Sequence, residues 1–163
     1  MGVRNCREIG ENLQIIMKRL IANDKLVNLL YYTDSDPLNQ PKLNNELKKE
    51  KVFNKLIRVI PKVGTMETTQ PIITIKVDNG QQLTENDQFR NITISIEVFV
   101  PFNQWIINDM NLRPFAILGE IQDSLNNKTI NGLGKLQGGD FELEFLTEEI
   151  SCYLQTYNIV TYD

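Results

Sequence analysis

From Ile92 to Pro101 the chain alternates without a break. Ile92, Ile94, Ile96, Val98 and Val100 fall on one side of an extended segment, and Asn91, Thr93, Ser95, Glu97 and Phe99 on the other. A period of two over this length fits a β-strand, and Pro101, with no N–H to offer a ladder, ends it. Five β-branched side chains on one face each contribute about 1.5–3 kcal/mol when fully buried, which predicts a strand near the middle of its sheet.

Around this strand the periodicity divides the chain. Ile9, Leu13, Ile16, Met17, Leu20 and Ile21 recur at three- and four-residue steps and predict an amphipathic helix, with Asn5 and Glu8 spaced as a capping box. A second short helix is expected from a capping Asp24 through Leu26, Val27, Leu29 and Leu30 to Tyr31 and Tyr32, before turn residues and two prolines between Thr33 and Pro41. From Lys42 to Lys62 lysine and arginine dominate. Leu47, Val52, Phe53, Leu56 and Ile57 there fit a helix loosely, while Ile57 to Ile60 fit a strand stopped by Pro61. After Gly64, Ile73, Ile75 and Val77 predict a strand, and Asp78-Asn79-Gly80 reads as its turn. Pro114 opens a third helix with a buried stripe of Ile117, Leu118, Ile121 and Leu125, closed by Asn126-Asn127. Phe141, Leu143 and Phe145 alternate with Glu142 and Glu144 in a half-exposed strand. After a break at Thr147-Glu148-Glu149, a last strand runs from about Ser151 to Thr161, lined by Tyr153, Tyr157 and Tyr162. This order reads as α+β, a mostly antiparallel sheet packed on one face by two or three α-helices.

At 163 residues, 41% hydrophobic and 23% charged, the chain has the composition of a folded domain, with a basic insertion or arm at about 34–62. It holds no apolar stretch of signal-peptide or membrane-spanning length, so no membrane partner is expected. The absence of histidine removes Ser-His, Cys-His and most zinc chemistries. Cys6 and Cys152 lack metal or redox spacing. Asp34-Ser35-Asp36, the one foothold for a divalent metal, runs directly into Pro37 and reads as a turn. Gly132-Leu133-Gly134 and Gly138-Gly139 match no nucleotide-binding loop and read as hairpin or loop glycines. No catalytic residue, metal or cofactor is expected. A net charge of −4 argues against tight, non-specific nucleic-acid binding. Trp105, with Phe99, Phe102, Ile106 and Ile107 nearby, reads either as an exposed anchor for a partner or as a core tryptophan covering the sheet.

The order of features from Phe89 onward carries a resemblance. The strand closes on Glu97-Val98-Phe99-Val100-Pro101; Trp105 follows; Leu112-Arg113-Pro114 leads into Ile117-Leu118-Gly119-Glu120-Ile121 and Leu125-Asn126. Gly132-Leu133-Gly134-Lys135-Leu136 and a closing strand from Tyr153 to Asp163 complete it. In element order and length this stretch, somewhat under half of the chain, resembles the tail terminator (tail completion) proteins of tailed phages. The resemblance implies a virion protein assembled in the host cytoplasm, a homo-oligomeric ring, usually of six copies. Such a ring caps the tail tube protein, stops its polymerisation and joins the tail to the head–tail connector. Genomic DNA would pass through the lumen without specific binding, which an acidic wall favours. The segment from Asp34 to Lys62 departs from the compact family pattern. As an arm it would place Lys48, Lys49 and Lys51 on an acidic patch of the next copy, such as Glu142, Glu144, Glu148 and Glu149. Another neck or head-closure protein would share these properties. A monomeric accessory module binding through the Trp105 loop is the reading from a different class, and an enzyme the remotest.

Overall fold

The computed structural model describes residues 6–59, 69–82, 90–130 and 134–160. Asn5, Pro61, Lys62, Gly64, Gly132, Leu133 and Tyr162 lie outside them. The helices are α1 (Cys6–Ala22), α2 (Asp24–Tyr31), the single turn α3 (Asn45–Leu47), which continues into a π-helical turn Lys48–Val52, and α4 (Arg113–Leu125). The strands are β1 (Ile57–Arg58), β2 (Ile72–Gln82), β3 (Arg90–Pro101), β4 (Ile106–Ile107), β5 (Asn111–Leu112), β6 (Thr129–Ile130), β7 (Gly134–Leu146) and β8 (Ile150–Val160). Six of them form one curled sheet in the order β1-β2-β3-β8-β7-β6, antiparallel except for β1 beside β2; β4 and β5 make a separate small ribbon. The fold is α+β, and β3 sits inside the sheet between β2 and β8, as its alternation predicts.

One face of β3 carries Ile92, Ile94, Ile96, Val98 and Val100 into the helices. They meet Ile73 and Ile75 of β2, Tyr157 and Ile159 of β8, Ile16, Met17 and Leu20 of α1, and Ile117, Leu118 and Ile121 of α4 in a single buried cluster. The opposite face is also closed around β3, although no described helix lies on it. There Phe99 packs near Phe145, with ring centroids 6.0 Å apart, and Ser95 donates to Asp78. Lys76 donates to Glu97 at 2.5 Å and lies 4.0 Å from Glu144. Glu97 holds the Lys76 ammonium above its ordinary pKa, so a charged pair covers a face that alternation alone assigns to solvent.

Local expectations are corrected in two places. Asn23, not Asp24, caps α2: its Oδ1 accepts from the Leu26 N–H at 3.1 Å, and its Nδ2 donates to Glu120 at 2.9 Å and Ser124 at 3.0 Å on α4. Asp24 lies in the first helical turn. Asp78-Asn79-Gly80 forms no turn; β2 runs through it, with an irregularity of register between Val77 and Asn79, and Gly80 pairs with Ile92. Residues that favour turns also fit a β-bulge, and pairing along the length of β3 keeps the strand going. The basic segment resolves both of its readings in series, as the helical turns of 45–52 and the short β1.

Arg113, at the start of α4, is fully buried and donates only to backbone carbonyls. Its Nε bonds Gln104 at 2.8 Å, one terminal nitrogen bonds Leu29 at 2.7 Å and Tyr32 at 2.8 Å, and the other bonds Asp34. Its own backbone N–H bonds Trp105 at 2.7 Å. Leu29 and Tyr32 belong to the end of α2, where helical carbonyls lack partners and the helix dipole favours a cation. One guanidinium therefore joins α2, the loop after it, the Trp105 loop and α4.

Replacing Arg113 with Met leaves these carbonyls unsatisfied and should lower stability by about 3 kcal/mol or more in chemical denaturation. Gly138→Ala should also destabilise strongly, because φ is +150° there and a Cβ would stand 2.3 Å from the Thr156 carbonyl oxygen. Gly119→Ala, inside α4 where a Cβ meets nothing within 4 Å, is the control expected to hold or slightly raise its midpoint.

Candidate assembly surface

The sheet is finished unevenly at β7. One side of that strand pairs with β8 along its length. The other is covered only at its start: β6 pairs with Gly134 and Lys135, Leu136 exchanges backbone bonds with Asn127 and Lys128, and the Gly138 N–H reaches the Asn126 side chain. From Gly139 to Leu146 no described segment pairs with the outer edge, and residues 141–146 are all exposed. Two bulges, at Gly138/Asp140 and Leu143/Phe145, bend the edge and make it a poor template for indiscriminate strand addition.

The two faces of this edge differ in chemistry. On the helix side, Phe141 and Leu143 stand opposite Gln155 and Tyr153 and run into an aromatic shelf. Phe115, from the first turn of α4, lies 5.9 Å from Phe141 and 5.3 Å from Tyr153; Trp105 lies 6.3 Å from Tyr153 and 5.3 Å from Phe102. Phe141 is 54% exposed, and Phe102, Phe115, Leu143 and Leu146 are exposed beside it. The adjoining ribbon of β4 and β5 adds Ile106, 73% exposed, and Met110, 94% exposed with a left-handed backbone at φ 59°. Large apolar side chains gathered at one sheet margin make it a candidate contact surface.

The other face is acidic. Glu142 stands opposite Leu154 and Glu144 accepts from the Cys152 thiol at 3.2 Å, which brings both glutamates to one side of the sheet. Burial, helped by Glu144, pushes the Cys152 thiol up and keeps it protonated. The exposed Glu148 and Glu149 follow in the turn to β8, where the Thr147 hydroxyl accepts from the backbone N–H groups of Glu149 and Ile150.

Trp105 packs on the core as its second reading predicts, without being fully enclosed. Its ring is half-buried against the core, its indole N–H donates to Ser151 at 3.1 Å, and it props the exposed shelf from below. The lysines lie elsewhere, on the segment that feeds β1 at the far edge of the sheet. Lys48 is only 12% exposed and bonds Asp24 at 2.7 Å, with Lys42 on the same carboxylate at 3.0 Å; Lys51 pairs with Glu50 at 2.8 Å, and Lys49 is exposed. The segment lies back on its own chain, with Leu43, Val52 and Leu56 buried and the Gln40 carbonyl accepting from Asn28. Asp34 and Asp36 form the turn, Asp34 accepting from the Asp36 N–H at 2.8 Å. Among the described residues no cluster of three or more His, Cys, Asp or Glu is placed to hold a metal, and no helix is long and apolar enough to cross a membrane.

Periodicity misses Phe115, whose helical position resembles any surface site, and Arg113, which reads only as a helix start. The YomW family model matches residues 23–159, from the cap of α2 to the end of β8, and so takes in the sheet, the open edge and the aromatic shelf. The chain belongs to the YomW family. YomW proteins are a phage-derived, SPbeta-like prophage family, which makes this chain a phage-related protein. Neither the curated proteins nor the solved structures yield a significant match to it.

Two outcomes follow from this geometry. Phe141→Ser removes a ring that the isolated chain leaves half in water, so it should change folding stability by less than about 1 kcal/mol while reducing association or surface-probe binding. The second concerns Asp24, whose carboxyl is held below its ordinary range first by the hydrogen bond from Lys48 and then by that from Lys42. A depressed carboxylate stabilises the fold above its unfolded pKa, near 4, and loses that contribution as pH falls through the lower folded value. Acid titration should therefore loosen the 42–52 segment below about pH 4, seen as faster amide exchange there, and Asp24→Asn should abolish that pH dependence.

Proposed function

We propose that the protein is a structural component of a phage particle that acts as a tail terminator: a ring, of six copies by resemblance, that caps the tail tube and joins it to the head–tail connector. The observation that carries this reading is the open β7 edge with its aromatic shelf, a surface built for protein contact in a phage-related chain. A folded protein that leaves Phe115, Phe141, Leu143 and Leu146 in water at one sheet margin gains by covering them, and assembly does so. The net charge of −4 suits a channel through which DNA slides without sticking. In this reading Trp105 and its aromatic neighbours make the contact, and Glu142, Glu144 and the exposed Lys49 and Lys51 orient it.

The test is to add the purified protein to growing tail tubes and image them. Tubes of arrested length with extra density at one end are the expected result, and the Phe141→Ser variant should cap them poorly. Tubes that elongate unchanged would reject the terminator role. Binding to the connector but not to the tube would move the protein to the neck.

A further inference from the structure

The charge of this chain is divided between the two ends of its sheet. Residues 139–149, at the open β7 edge and its turn, carry five carboxylates, Asp140, Glu142, Glu144, Glu148 and Glu149, and no cation. Residues 42–58, which lead into β1 at the opposite end, carry six cations against two carboxylates. Glu142, Glu148 and Glu149 are exposed and have no cationic partner among the described residues, and Lys49 and Lys55 are exposed on the basic side. The exposed Leu47 gives that side apolar surface too.

We infer that copies of this chain dock head to tail, the acidic open edge of β7 on one copy meeting the lysine-bearing segment beside β1 on the next. Symmetric pairing of two β7 edges would bring five carboxylates against five, which repel. Pairing of unlike ends sets carboxylates against lysines and brings the exposed Leu47 to the apolar edge of Phe141 and Leu143. The two bulges in β7 disfavour continuous strand addition, so side chains carry the contact. A contact between two different surfaces repeats, and it closes into a ring when the rotation per copy divides a full turn. The inference deepens the ring reading above and rests on it for closure.

A charge-swap experiment on the full chain tests the pairing. One variant carries Glu142→Lys and Glu149→Lys; the other carries Lys49→Glu and Lys55→Glu. All four positions are exposed, and unchanged thermal melts would show that both variants fold. By native mass spectrometry the wild type should form oligomers that weaken as salt rises, and each variant alone should associate about tenfold or more weakly. An equimolar mixture should regain oligomers with the two variants in equal number, because each swapped edge then finds its swapped partner. Carbodiimide cross-linking of the wild type, with half the chains isotopically labelled, should join Lys49, Lys51 or Lys55 of one copy to Glu142, Glu148 or Glu149 of another. The inference is overturned if the wild type stays monomeric at low salt and high concentration, if either variant assembles like the wild type, or if the mixture fails to recover. Head-to-tail pairing by a protein that ignores tail tubes would keep this inference and remove the terminator reading. Capped tubes indifferent to both variants would do the reverse.

Discussion

Burying the Arg113 guanidinium without a carboxylate partner is favourable only because four backbone carbonyls converge on it. Those carbonyls come from Leu29, Tyr32, Asp34 and Gln104, so the side chain sets the distance between the end of α2, the loop that follows, and the loop that carries Trp105. The same residue begins α4, which places Phe115 on the first turn and Ile117, Leu118 and Ile121 over the sheet. The position of the aromatic shelf relative to the core is thus fixed by a polar interaction at the base of α4. Phe115 can remain exposed, and Trp105 half-buried beneath it, because the backbone at the base of α4 and the Trp105 loop are held from behind.

The strands of the sheet are bonded to different extents. β3 and β8 are paired on both edges, β2 is paired with β3 along its length and with β1 only at Ile73 and Thr74, and the helix-facing side chains of all three are packed against the helices. Among the described residues β7 is long and bulged, bonded to β8 on one side and open on the other over its second half, with its outer residues exposed. Natural edges are usually short or guarded by lysines. Here the edge is long and its side chains include Asp140, Glu142 and Glu144, a charge that opposes self-pairing of like edges. Gly138 and Gly139, both at positive φ, shape the strand: the first lets β7 approach the Thr156 backbone, and the second leaves room for the Gln122 side chain of α4.

Much of the architecture is legible in the chain itself. The alternation of Ile92 to Val100, the stripe of Ile117, Leu118, Ile121 and Leu125, and the proline at the head of α4 each announce their element, because burial on one face leaves a period behind. Interactions without a period are silent. Arg113 looks like any surface arginine beside a proline, and its four carbonyl partners are distant in sequence. Asp78-Asn79-Gly80 has turn chemistry but lies in a strand, since a bulge draws on the same residues and the pairing with β3 decides. Lys48 belongs to the basic run, yet Asp24 claims it, a choice made by proximity in three dimensions. The candidate contact surface is half legible. Phe141, Leu143, Glu142 and Glu144 are visible as an alternating strand, but whether its outer edge is covered depends on the length of β6, which is only two residues.

The most direct test is amide hydrogen exchange across β7, read residue by residue in dilute monomer and in assembled protein. In the monomer, the amides of residues 139–146 that are not bonded to β8 should exchange as freely as a loop, and assembly should protect them together with the neighbourhood of Lys49 and Lys55. Protection of that edge already present in the monomer, or an assembled state in which it still exchanges freely, would contradict the claim that the open edge of β7 is where this protein meets its partner.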